Sequence, residues 1–381
     1  MNVNEYSFCF QGSIFMNRYA FIMLSSISVL FVLGLVMVFN TTSAQILDRF
    51  SDRSLYYALV KQLLYAAISA IGVIAIWSVG YRSLLSLSPL LLFLGVIGLI
   101  LVLVFGPKLN GARRWISLFG NSLQPSEFVK YVIPLYYIYA VTKQKSSLDW
   151  LQFLRLLGVI CIPLGLILIE PDNGTVAIIL SALIVLFILS QINWVYWALP
   201  LAIICCIGAV VASQMPHVSD RLKIYLHPEY DLKGKGHQPY QARIAAGSGR
   251  LFGRGIGESL QKLEYLPEAR CDYIAAIFAE ECGFIGMSIL IFLYAMVAFC
   301  GFAIALQVKE IGGFYLVASF TFLICFQAFL NLGIVSGLLP SKGTNLPFFS
   351  QGGSSLIANM LALTVIIKVA EESKQQLKND D

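Results

Sequence analysis

Ser88-Pro89-Leu90-Leu91-Leu92-Phe93-Leu94-Gly95-Val96-Ile97-Gly98-Leu99-Ile100-Leu101-Val102-Leu103-Val104-Phe105-Gly106 runs without one charged side chain. A helix of roughly 20 such residues covers the ~30 Å of hydrocarbon in a bilayer. The same reading, carried outward along all 381 residues, gives ten segments: 20–39, 62–80, 88–106, 127–142, 155–170, 174–190, 194–212, 274–306, 313–332 and 353–370. Composition agrees, with 58% hydrophobic and 12% charged residues and a mean hydropathy of +0.78. So few charges cannot cover the surface of soluble domains in water, which excludes a cytosolic enzyme and a disordered chain. The expectation is an all-α polytopic membrane protein of ten transmembrane helices, with a long loop, 213–273, between the seventh and eighth. Residues 1–19 and 372–381 read as tails flanking a membrane domain, 20–371. Only Arg18 precedes the first segment and no small-residue cleavage site follows it, so it reads as a retained span. Met16, followed by Asn17-Arg18, is an alternative start.

Six of the eight cysteines lie in apolar stretches and read as small buried hydrophobes, so a disulfide framework is excluded. His217, His227 and His237 recur at ten-residue intervals, which matches no zinc motif, and no metal-ligating residues are assigned. The net charge of +5 favours anionic lipid or substrate over nucleic acid, because no basic domain laced with aromatics is present. Ten spans put both termini on one side. Lys and Arg divide almost evenly over the short segments, so charge does not orient the chain. Basic residues nevertheless gather on the face that carries the long loop, which suggests an anionic partner there.

Four polar segments on that face can carry chemistry. The first holds Lys108, Arg113 and Arg114, then Gln124-Pro125-Ser126-Glu127 and Lys130. Pro125 suits a first helical turn, Ser126 is a candidate cap, and Glu127 and Lys130 share a helix face. The second, Glu170-Pro171-Asp172-Asn173-Gly174-Thr175, is a tight connection whose carboxylates either cap the next helix or serve acid–base chemistry. The third, Gln241 to Gly257, alternates glycine with Arg243, Arg250 and Arg254 in a pattern that could admit a phosphate to backbone N–H groups. It leads to Asp272, at the border of a span carrying Glu280 and Glu281, which is either an N-cap or a general base. The fourth, Gly337 to Ser355, is too rich in Gly, Pro and Ser to remain helical and is expected to line a site.

Taken in order, the chain resembles the SEDS family of cell-wall assembly proteins (FtsW/RodA/SpoVE). The matching pieces are Gly111-Ala112-Arg113-Arg114-Trp115-Ile116, Gln124-Pro125-Ser126-Glu127 with Lys130, Pro171-Asp172 with Gly174-Thr175, and Gly247-Ser248-Gly249. Leu266-Pro267-Glu268 with Asp272, Ala279-Glu280-Glu281, Lys342-Gly343, Leu346-Pro347-Phe348 and Gly352-Gly353-Ser354-Ser355 complete the series. The run Gln261 to Ala269 looks closer to the division member of the family than to its elongation member.

The resemblance implies ten helices with cytoplasmic termini in the inner membrane, and polymerisation of lipid II into glycan strands beside a class B penicillin-binding transpeptidase and other division proteins at the septum. Asp272 matches the family's catalytic carboxylate. Read chemically, it is the general base that takes the proton of an attacking sugar hydroxyl. Arg113, Arg114, Lys130, Arg250 and Arg254 are candidates for the lipid diphosphate, and Glu127, Lys342, Ser354 and Ser355 complete the substrate-binding set. A divalent cation such as Mg could assist at the diphosphate. A lipid II flippase, a division scaffold without catalysis and an elongation role are the alternatives. Three departures from the family pattern stand out: Arg270-Cys271 and Tyr273 flank Asp272, Gln351 stands in the usual Tyr position, and Ser122 replaces an Arg.

Overall fold

The computed structural model describes residues 18–48, 54–108, 112–118, 121–144, 148–198, 200, 202, 225, 228–231, 236–262, 270–340 and 343–380. Ten α-helices run through them: α1 (Arg18–Asp48), α2 (Tyr57–Val79), α3 (Tyr81–Phe105), α4 (Pro125–Lys143), α5 (Trp150–Ile169), α6 (Asn173–Leu189), α7 (His237–Ser248), α8 (Ile274–Gln307), α9 (Ile311–Val335) and α10 (Gly353–Asp380). Nine coincide with expected spans, and α7 is a polar helix inside the long loop. Among the described residues, seven helices are long and apolar enough to cross a membrane, and α6 is a shorter apolar helix. The expected seventh span, 194–212, lies for the most part outside the described residues, as do Met16, His217, His227, Lys342 and residues 263–269.

Local chemistry accounts for where the helix ends depart from expectation. The fifth begins at Trp150 and not at 155, because the Asp149 side chain accepts from Trp150 N at 2.8 Å and forms a capping box with Gln152. Helix α4 begins with Pro125 at its first turn as expected, but Ser126 lies inside the helix and is not its cap. Gly80 alone separates α2 from α3. Helix α10 continues past the membrane segment, so residues 372–380, expected as a tail, extend it. Between α3 and α4 a two-stranded antiparallel ribbon forms, β1 (Ile116–Leu118) with β2 (Asn121–Leu123), in the register Ile116 to Leu123.

Helix α9 sits at the centre, packed against α4, α6, α8 and α10, while α1 lies along α8 and α2 along α10. Ile324, Leu323, Val317 and Leu316 of α9 are fully buried. The outer faces of α2 and α3 leave Ile71, Ile74, Phe93 and Phe105 exposed, as lipid-facing helices should.

Candidate active site

Helix α8 is broken near its start. Gly283 takes φ 65° and ψ −162°, outside the helical region and accessible to glycine. The break should orphan the carbonyls of Glu280 and Glu281 and the amides of Phe284 and Ile285, a cost that hydrocarbon does not forgive. The glycine-rich loop satisfies all four. Arg254 N donates to Glu280 O and Gly255 N to Glu281 O, each at 3.0 Å, while Phe284 N and Ile285 N donate to Arg250 O and Leu251 O at 2.8 and 3.2 Å. The approach is close enough that a Cβ on Gly253 would lie 2.0 Å from Glu281 O. Gly249 and Gly253 therefore serve backbone contact with α8, and the Arg254 and Gly255 N–H groups, within the run expected to cradle a phosphate, are spent on helix carbonyls.

The two carboxylates beside the break hold the rest of the loop. Glu280 accepts from Ser259 Oγ at 2.5 Å and from the amides of Leu260 and Gln261, both at 3.3 Å. Glu281 accepts from Asn40 of α1 at 2.6 Å and pairs with Lys262 at 3.2 Å. Lys262 also donates to Asn40 Oδ1 at 2.9 Å and to the carbonyl of Gly257. Both glutamates are 1% exposed, and these contacts make them a scaffold for the loop.

A second polar layer joins α4, α6, α9 and the segment 343–355. Lys130 is 1% exposed; its Nζ lies 2.8 Å from Glu127 Oε2 and 2.6 Å from Gln327 Oε1. Gln327 Nε2 passes the contact on to Asn345 O at 2.9 Å. One turn further along α9, Asn331 Nδ2 donates to Thr344 O at 2.6 Å and to Asp272 O at 2.8 Å. Asp172 caps α6 by accepting from Thr175 N, and its other oxygen receives Thr175 Oγ1, Gln124 Nε2 and Ser126 Oγ at 2.8, 3.2 and 3.4 Å. That explains why Ser126 does not cap α4. Ser354 accepts from Gln124 N at 2.9 Å, and Ser355 accepts from Asn359 at 3.3 Å.

Asp272 is half-buried in the turn before α8. Tyr273, and not Asp272, holds the N-cap position of α8, without a side-chain cap bond of its own. A Cβ on Gly343 would lie 2.8 Å from Asp272 Oδ2, so this glycine leaves the space the carboxylate occupies. Burial and the nearby charge of Asp272 push the Tyr273 phenol up. The amide of Gln351 donates to Arg270 O at 3.1 Å, so two of the chain's departures from the family pattern meet beside the site.

The expected cations divide. Arg114 Nε donates to Glu170 O at 3.1 Å and its Nη2 to Pro171 O, clamping the ribbon approach to the α5–α6 turn. Arg113 is exposed and donates to Leu103 O at the end of α3 at 2.8 Å. Arg250 is exposed, and Arg254 stands 3.6 Å from Glu280. Lys130 is enclosed by its own partners and supports the site from beneath. Lys342 lies outside the described residues. Sequence reading missed Gln327, Asn331, Asn345, Asn40 and Lys262. The signal that points to the first two is a pair of amides four apart inside an apolar span, which is costly without partners.

A bundle of apolar helices around a buried polar layer, with a half-buried carboxylate at its edge, defines a polytopic membrane protein with an internal polar site. The profile of the FtsW/RodA/SpoVE family, described as cell cycle proteins, matches residues 20–375. The chain is 33% identical over 358 residues to "Probable peptidoglycan glycosyltransferase FtsW" of Trichlorobacter lovleyi, covering 93% of each. It is 34% identical over 350 residues to "Stage V sporulation protein E" of Bacillus subtilis, covering 91% of this chain and 95% of that one. Among solved structures, one from work titled "Structural coordination of polymerization and crosslinking by a peptidoglycan synthase complex" aligns with a TM-score of 0.77 at 25% identity, over 95% of this chain and 99% of that one. RodA of Thermus thermophilus aligns at 0.66, also at 25% identity, over 94% and 98%. The chain belongs to the FtsW/RodA/SpoVE family of cell cycle proteins, and the resemblance read from its motifs is borne out.

Proposed function

We propose that this protein is a peptidoglycan glycosyltransferase that polymerises lipid II during cell division, with Asp272 as its general base. The observation that carries the reading is the placement of Asp272: half-buried, with its main chain fixed by Asn331 and its carboxylate beside Gly343. Several similar proteins carry the division protein's name, which favours division over elongation. The remaining topology follows the family: ten spans, cytoplasmic termini, and Asp272 on the outer face of the inner membrane at the septum. The solved synthase complex supports a class B penicillin-binding transpeptidase as partner.

In the reaction, the sugar hydroxyl of one chain end attacks the anomeric carbon of another lipid-linked sugar. Its proton passes to the Asp272 carboxylate while the C–O bond to the polyprenyl diphosphate breaks, and the diphosphate leaves with the bonding electrons. One displacement without a covalent enzyme intermediate inverts the anomeric centre. A positioned base typically contributes about 10²–10⁴ in rate. Arg113 and Arg250, exposed on the described surface, are the cations assigned to the departing diphosphate. Among the described residues no three metal-ligating side chains come together. A Mg ion carried by the diphosphate would need only one or two protein carboxylates; bound there, it would neutralise charge on the leaving group, while Asp272 stays free to act as the base.

Purified Asp272→Asn, assayed on labelled lipid II in detergent, should remain folded and lose glycan extension. Normal extension by that variant would remove Asp272 from its role. Activity in detergent also separates polymerisation from lipid transport, which has no meaning without a membrane.

A further inference from the structure

Two bonds of the polar layer converge on a single side chain. Asn331, 1% exposed, gives its Nδ2 to both Asp272 O and Thr344 O. Both neighbours are carbonyls, which only accept, so the amide stands with its nitrogen toward them. This leaves Oδ1 buried and without a hydrogen-bond partner among the described residues. A buried acceptor left open costs free energy, and a freely chosen core residue would avoid it. Four residues earlier Gln327 grips the next carbonyl of the same segment, Asn345 O, and accepts from Lys130. The face of α9 thus links the Glu127–Lys130 pair to the main chain of Asp272.

We propose that Asn331 is a positioning residue for Asp272. Its carboxamide nitrogen holds the turn before α8 against segment 343–345, and so sets the carboxylate in the space that Gly343 leaves open. This rests on Asp272 being the base. The side chain acts through the Asp272 backbone and not on the substrate, so its removal should alter turnover more than substrate capture. Gln327 sets the height of the same segment from one turn below.

The test compares Asn331→Asp, which has nearly the same shape but loses one donated bond when protonated and both when ionised, with Asn331→Leu, which is apolar and of similar volume. Lipid II polymerisation is followed over pH, normalised to the monodisperse folded fraction. We expect kcat to fall about 100-fold, as for a catalytic group displaced by an ångström, with KM within about twofold of the parent. In Asn331→Asp the added carboxyl, once ionised, disfavours ionisation of Asp272, so the acidic limb of the kcat profile should then move to higher pH. Unchanged kcat per folded molecule in both variants overturns the inference, wherever the acidic limb falls. Failure of both variants to fold also counts against it, since Asn331 would then be structural. Asp272→Asn, run in parallel, separates the two readings. If it keeps turnover, the base is misassigned; if it loses turnover while both Asn331 variants keep theirs, only the positioning role falls.

Discussion

Lys262 Nζ lies 3.2 Å from Glu281 Oε1, with both side chains almost entirely withdrawn from solvent. The pair ties the loop before Asp272 to α8, and Asn40 ties both to α1. Removing one member of such a pair leaves a buried charge uncompensated, which costs about 3–5 kcal/mol. Lys262→Met should therefore lower the unfolding midpoint in detergent sharply, and Lys262→Met/Glu281→Gln should recover part of the loss. A double-mutant thermal series measures that coupling.

The broken helix makes a contrast between glycines. Gly253 has φ +82° and no room for a Cβ against Glu281 O, so Gly253→Ala should sharply reduce the yield of folded protein. Gly247, in α7, has no atom within 4 Å of where a Cβ would stand. Gly247→Ala should instead be neutral or stabilise by up to about 1 kcal/mol, the usual gain of alanine over glycine inside a helix. Detergent-extracted yield and melting temperature distinguish the two.

Lys130 is held by Glu127 and Gln327 at 2.8 and 2.6 Å, which suits a compact ammonium. A planar guanidinium is wider and needs a different arrangement of acceptors. Lys130→Arg should therefore fail to restore the activity lost in Lys130→Met, although charge is kept. A lysine merely supplying positive charge to a diphosphate would tolerate the change, so relative polymerisation rates of the two variants decide between these roles.

Glu170 follows the end of α5, in the connection to α6; its carboxyl oxygens are buried without a partner among the described residues. Burial, then the charge of Asp172, push its carboxyl up to about 8, against a smaller opposing pull from Arg114. Its folded value lies above its unfolded one, so the folded state binds the extra proton between them. The stability it contributes is present in full below the unfolded value and is lost as pH rises through about 8. Glu170→Gln should melt like the parent at low pH and above it beyond pH 8, a comparison that thermal scans across pH provide.

How much of this was legible along the chain depends on the range of the forces involved. Span 88–106 needed only its own composition, because burial in hydrocarbon is decided residue by residue. Asp172 as a helix cap was legible because its partner, Thr175, is three residues away. The meaning of Gly253 was not, since the helix carbonyl it approaches belongs to Glu281. Lys130 was legible as a neighbour of Glu127 but was also offered to the diphosphate, because its second partner, Gln327, is 197 positions distant. Gln327 and Asn331 passed unremarked inside an apolar span, although buried amides in a membrane helix are costly enough to announce a partner.

The sequence by itself determined that this chain crosses a membrane many times, and its ordered motifs determined its family, because hydropathy and local turn chemistry act over a few residues. Only the tertiary structure decided which charges are spent on one another and which remain available. That choice depends on how α1, α4, α8 and α9 pack, which brings together side chains hundreds of positions apart in a medium where no polar group can be left to water.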